Sequence, residues 1–239
     1  MNTEIFATRI EMGMAAANTA ADFLRSSLLE QETVRTIFAA APSQNEMLAM
    51  LRETKGIDWH RVVAFHMDEY IGLDAAAPQR FATFLKERLF DHLPFREVHL
   101  IEPENTEPVK HYEKLLKALP IDLVCLGIGE NGHLAFNDPP VADFNDPDWV
   151  KVVDLDETCR QQQVNDGCFV TLADVPKQAI TLTIPSLLSG KRLICTVPGP
   201  TKRQAVQRTL NDPISTACPA TVLRNHHACT LFLDRESAP

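Results

Sequence analysis

No run of apolar residues in this sequence approaches the ~20 that a membrane-spanning helix requires. Glu4, Arg9 and Glu11 interrupt the N-terminal stretch where a secretory signal would carry its apolar centre. Positive charge is scarce as well: 23 Lys and Arg stand against 32 Asp and Glu, a formal net charge of −9. Nucleic-acid binding needs a basic face, so this balance argues against that partner class. None of the six cysteines forms C-x-x-C, and most sit in apolar or helical stretches, the pattern of buried reduced thiols. No H-x-x-x-H occurs, and the adjacent His226 and His227 would face opposite ways in a strand, so no metal site is expected. Together these absences predict a cytoplasmic, soluble protein with no membrane and no nucleic-acid partner.

What is present is ordinary globular composition, 45% apolar and 23% charged over 239 residues, enough for a sizeable core. Ile10, Met14, Ala17, Ala21, Leu24 and Leu28 recur at helical spacing and predict an amphipathic helix over 10–30. Strands are expected at 34–39, 61–65, 98–101 and 121–126, with helices at 79–92 and 108–118 between them. A further helix opens at Ser43, where Ser43 and Glu46 have capping-box spacing and Gly56 supplies a stop. After Gly132 the rhythm breaks into a proline-rich segment reaching Trp149. It then resumes with strands at 151–155, 180–184, 193–197 and 229–233, and with helices from Asp156 and Thr201. No repeat or linker interrupts the chain. The alternation predicts one α/β domain over 1–239, a mainly parallel sheet with helices on both faces.

Gly127, Gly129 and Gly132 spell G-x-G-x-x-G directly after the strand ending at Leu126. A dinucleotide site needs a long helix starting against the pyrophosphate, and Pro139 and Pro140 leave room for barely two turns. Asp154 has the spacing of a ribose-binding acid, but no crossover helix supports it, and the motif follows the fourth strand rather than the first. The loop therefore reads as a catalytic turn at the carboxyl end of a strand, where open α/β sheets place ligands. A second strand end carries Asp68 and Glu69, and the glycine loop carries His133 and Asp138. Two adjacent strand ends would bring an acid, a histidine and another acid into one crevice, the combination that general acid–base chemistry asks for. Asp138 could orient His133.

At these residues a resemblance enters. The segment Phe65-His-Met-Asp-Glu-Tyr-Ile-Gly-Leu73 and the longer one from Leu126 to Pro139 resemble the two signature stretches of the glucosamine-6-phosphate deaminases. The 6-phosphogluconolactonases are more distant relatives of that family. The resemblance implies a modified Rossmann-like three-layer fold that uses no nucleotide or other cofactor, and a sugar-phosphate substrate converted to a ketose phosphate with loss of ammonia. By position it implies Asp68 as the base between C2 and C1, His133 as the group that opens the pyranose ring, and Asp138 as its orienter. Asn131 stands where a third acid is usual. Lys202 matches a phosphate-binding lysine, in keeping with its place before a helix.

The departures concern the phosphate contacts. Where the family carries a loop of Gly with Thr or Ser, this chain has Ala41, Pro42, Ser43, Gln44, Asn45 and Glu46. Ser43, Gln44 and Asn45 can still donate at a helix start. Gly129 and Gly132 would let the backbone come close to the sugar. Asp138 replaces the commoner Glu, and His66 stands where Asn is usual. The alternatives are a lactonase-like hydrolase and a weakened sugar-phosphate-binding regulator. Some members of the family assemble, so a homo-oligomer is possible.

Overall fold

The computed structural model describes residues 1–239. Its centre is a seven-stranded, wholly parallel sheet ordered β1 (Asn2–Phe6), β10 (Cys229–Asp234), β9 (Arg192–Val197), β6 (Leu123–Leu126), β2 (Val34–Phe38), β3 (Val62–His66), β5 (Glu97–His99). β2, β3 and β6 are buried along their whole length, as strands covered on both faces should be. Neighbours along a strand go to opposite sides. Phe38, Cys125, Ile194 and Phe232 join one apolar cluster, whereas Ile37, Val124, Leu193 and Leu231 join another. This period of two builds the three layers.

α1 (Arg9–Glu30) and α2 (Asn45–Glu53) cover the first face, and α4 (Pro108–Lys117), α6 (Ile184–Leu188) and α7 (Arg203–Asn211) the second. None of the helices is long and apolar enough to cross a membrane. The chain runs from β2 outward through β3 to β5, then returns to β6 on the other side of β2. β2 and β6 therefore flank the topological switch point, the crevice where such sheets hold ligands.

A second sheet was not foreseen. β4 (Asp68–Tyr70) and β7 (Val150–Asp154) both pair antiparallel with β8 (Gln178–Leu182), outside the main sheet. Only Met67 separates β3 from β4, and its carbonyl accepts the Leu182 N–H at 2.8 Å. A three-residue polar strand has no periodicity to read, since it exists through its partner, about 110 residues away in sequence. β1 was missed for the same reason, being an edge strand with exposed side chains.

Three local expectations fail. α1 buries Met12, Ala16, Ala17, Ala20, Ala21, Leu24 and Leu28, while Ile10 and Met14 are exposed, so the inward face is rotated at its first turns. Gly13 explains this: a Cβ there would lie 2.4 Å from Glu46 Cβ, so α1 and α2 touch through the glycine. The capping box at Ser43 does not form; a 3-10 turn over Pro42–Gln44 precedes α2, and Glu46 pairs with Arg9 at 2.6 Å instead. His226 and His227 precede β10, with rings stacked at 4.8 Å, because His226 is held by the Gly190 carbonyl at 2.8 Å. The six cysteines are free, five of them buried.

Candidate active site

β6 ends in two consecutive tight turns rather than a helix; the next helix, α5 (Glu157–Asn165), begins far downstream. The Gly132 N–H bonds the Gly129 carbonyl at 2.9 Å, and the Gly129 N–H bonds the His133 carbonyl at 3.0 Å. Gly132 takes φ of +88°, a left-handed conformation that favours glycine. The second turn is locked by Asn137, whose Nδ2 donates to the Leu134 and Leu182 carbonyls at 2.8 Å each. The Phe136 N–H bonds Thr181 Oγ1 at 3.0 Å, which ties the loop to β8. No helix N-terminus is offered to a pyrophosphate here.

The turns place His133 flat against Gly129: a Cβ at 129 would stand 2.2–2.4 Å from three ring atoms. His133 Nδ1 lies 3.0 Å from Asp138 Oδ1, although its N–H does not point squarely at that oxygen. Asn131 joins the pair from both ends. Its Oδ1 accepts the His133 backbone N–H at 3.0 Å, which turns its Nδ2 onto Asp138 Oδ1 at 2.8 Å. Burial alone would raise the Asp138 carboxyl. The charge of His133 close by and hydrogen bonds from Asn131 and the Cys159 thiol instead hold it below its ordinary value. His133, Asp138 and Cys159 bring a nitrogen, an oxygen and a sulfur within 4.8 Å of one another. Burial raises the Cys159 thiol far above its ordinary range, so it meets Asp138 as a protonated donor.

Asp68, the first residue of β4, is 7% exposed and faces the same cavity as His133. Burial, then the neighbouring charge of Glu69, pushes its carboxyl well above the carboxylate range. Glu69 points away and anchors α3 (Phe81–Arg88): its carboxylate accepts the N–H groups of Tyr70, Phe81 and Ala82 at 2.9–3.1 Å. The two adjacent acids are thus divided between cavity and scaffold, as the alternation of a strand demands.

The cavity has a volume of about 580 Å³ and opens over the carboxyl ends of β2, β3, β6 and β9. Of the residues singled out in the sequence, Asp68, His133, Gly129, Ser43 and Lys202 line it. Gly132, Asn131 and Asp138 stand behind His133. Gln44 is fully buried behind Ser43, donating to Ser43 Oγ at 3.0 Å and the Leu126 carbonyl at 3.3 Å. Asn45 turns to α3, where its Oδ1 accepts from Arg88 Nε at 2.9 Å. Lys202 closes a 3-10 turn before α7; burial lowers its ammonium, against the pull of Asp166 and Glu130.

Sequence reading missed two wall components. Arg9 and Arg88 bring cations from helix ends distant in sequence, and α5 contributes Gln162 and Gln163, with Asp166 directly after it. Their spacing carries no signal, because only the packing of α1, α3 and α5 around the crevice gathers them. His66 lies off the cavity: its Nε2 accepts the Ile101 N–H at 2.7 Å inside the core.

The structure is thus a parallel α/β protein with an acid, a histidine–carboxylate pair and a buried lysine gathered at its switch point, where such sheets hold ligands. Residues 7–232 match the family model of glucosamine-6-phosphate isomerases/6-phosphogluconolactonase, and the chain belongs to that family. It is 38% identical over 202 residues to glucosamine-6-phosphate deaminases of Bacillus thuringiensis (strain Al Hakam) and Bacillus cereus (strain AH820), covering 83% of this chain and 75% of each relative. Among solved structures it is similar to a monomeric glucosamine-6-phosphate deaminase, with TM-score 0.90 and 28% identity over 99% of this chain and 98% of that one. The 6-phosphogluconolactonase of Thermotoga maritima shares the fold, with TM-score 0.80 and 19% identity over 98% and 99% of the two chains.

Proposed function

We propose that this chain is an amino-sugar-phosphate deaminase/isomerase, taking glucosamine 6-phosphate or a close hexosamine 6-phosphate to a ketose 6-phosphate and ammonia. The observation that carries the reading is the pairing of Asp68 with the Asp138-backed His133 on one cavity wall. His133, its ring held by Gly129 and Asp138, moves the proton between the ring oxygen and the anomeric hydroxyl that opens the pyranose. Asp68 then takes the C2 proton from the open aldehyde form and returns it at C1, while the aldehyde oxygen gains a proton and the amino group loses one, converting the 2-amino aldose to a C2 imine. Water adds to that imine and ammonia leaves, so one water is consumed for each ammonia released. A carboxylate pushed upward by burial is a stronger base than an exposed one, which suits abstraction of a carbon-bound proton. Asn131, which can neither give nor take a proton, serves as a fixed strut for His133 and Asp138.

The reading is tested by ammonia release from glucosamine and galactosamine 6-phosphates, with 6-phosphogluconolactone hydrolysis followed in parallel. Turnover of a hexosamine phosphate with little lactone hydrolysis is expected. Absence of ammonia from every hexosamine 6-phosphate would sink it. A lactonase is less well served by this wall, because hydrolysis needs only His133 and leaves Asp68 buried at a cost without a task.

A further inference from the structure

The phosphate of such a substrate would enter a protein of net charge −9, past a loop, Ala41–Glu46, that holds no glycine. The structure supplies a local answer in Arg9 and Arg88, which stand in the cavity wall beside Ser43. Arg9, the first residue of α1, pairs through Nε with Glu46 at 2.6 Å and through Nη2 with the Pro42 carbonyl. Arg88, the last residue of α3, gives Nε to Asn45 Oδ1 at 2.9 Å and lies over the Phe84 ring at 3.8 Å. Both guanidiniums are therefore fixed against the Pro42–Glu46 segment from either side. Each keeps a terminal nitrogen, Nη1 of Arg9 and Nη2 of Arg88, with no protein acceptor, and each side chain is 39% exposed. Gly13 makes the arrangement possible, since only a residue without Cβ lets α1 reach Glu46.

We propose that Arg9 and Arg88 form a two-arginine clamp for the ligand's phosphate, replacing the backbone cradle that a glycine-rich loop would give. The proposal rests on the sugar-phosphate reading above and adds the specificity for the phosphoryl group. Guanidiniums suit this task because their donors are planar, always charged and matched to phosphate oxygens. Ser43 Oγ and Lys202 Nζ complete the donor set. Glu87 and Asp166 are the acids on the same wall, and Glu46 offsets part of the Arg9 charge. Asp68 and His133 are left for the C1–C2 end of the hexose.

The test compares Arg9→Met, Arg88→Met and Arg9→Lys with the wild type on two ligands. KM for glucosamine 6-phosphate is expected to rise about 10–100-fold in each Met variant while kcat changes little, and Arg9→Lys to recover part of the loss. The preference for glucosamine 6-phosphate over glucosamine should collapse by the same factor. Binding of inorganic phosphate, measured by calorimetry, should weaken about tenfold or more in the Met variants whether or not the wild type turns over sugar. That second measurement separates the clamp from the catalytic reading: phosphate binding lost by the variants in an inactive protein upholds the clamp alone. Unchanged phosphate affinity and KM overturn it. So does an equal loss toward glucosamine and its phosphate, which marks the arginines as braces for the loop only.

Discussion

Asn131 donates through Nδ2 to Asp138 Oδ1 at 2.8 Å, the same oxygen that lies 3.0 Å from His133 Nδ1. The amide cannot be reversed, because its own oxygen is taken by the His133 backbone N–H at 3.0 Å. Asn131 therefore helps keep Asp138 ionised, in company with His133 and Cys159. Asn131→Asp would set a carboxylate against a carboxylate, and one of the two would have to hold a proton. The acid limb of the kcat/KM profile should then move up by roughly a pH unit or more. An unmoved limb would mean that Asn131 does not govern Asp138.

Asp68 offers two readouts. As the base it must be ionised, so Asp68→Asn should lower turnover by ~10²–10⁴-fold. Its raised carboxyl also has a stability consequence. The folded state holds its proton to higher pH than the unfolded chain, so stability falls as pH rises from the ordinary carboxyl range toward the raised value. Asp68→Asn removes that loss. The variant should melt above the wild type at pH 8, and the gap should close as pH falls through about 4. A variant of unchanged activity, or one melting lower at pH 8 than at pH 4 relative to wild type, would contradict this account.

How far the sequence reveals this molecule depends on the range of each interaction. The parallel sheet was legible because β2, β3, β6 and β9 announce themselves as local apolar runs. That Asp68 and His133 would face one crevice was legible because strand ends share one edge. Asp68 was foreseen at the end of a strand, but it opens a further strand defined by Thr181 opposite it, which no local pattern encodes. Glu46 was foreseen as a cap, yet an arginine 37 residues away outcompetes the backbone for its carboxylate. Arg9 and Arg88 were invisible as wall residues because helix ends converge only once α1 and α3 have packed.

Gly129 is a packing requirement more than a conformational one. Its backbone is not left-handed, so Ala at 129 is tolerated by the chain but collides with the His133 ring at 2.2–2.4 Å. The ring must tilt away, and it then loses Asp138. Gly129→Ala should cost ~10²-fold or more in turnover. The melting temperature should fall by only several degrees, in line with about 1–3 kcal/mol for local overpacking. Activity and stability reduced in proportion would point to general misfolding instead.

His66 provides a test of stability without catalysis. The residue is wholly buried, and its Nε2 accepts the Ile101 N–H, so the proton of the neutral ring sits on Nδ1. Burial, reinforced by the positive charges of Arg80 and Lys86, lowers the imidazole to about 3. In the unfolded chain it titrates near 6.5. Below that value the unfolded state gains a proton that the folded state refuses, so stability is lost as pH falls from about 6.5 toward 3. His66→Asn can keep an acceptor for Ile101 without titrating. Between pH 7.5 and 5.0 the wild type should lose about 2 kcal/mol more than this variant in urea unfolding. Equal losses over that interval would show that His66 is protonated, or freed, in the native state.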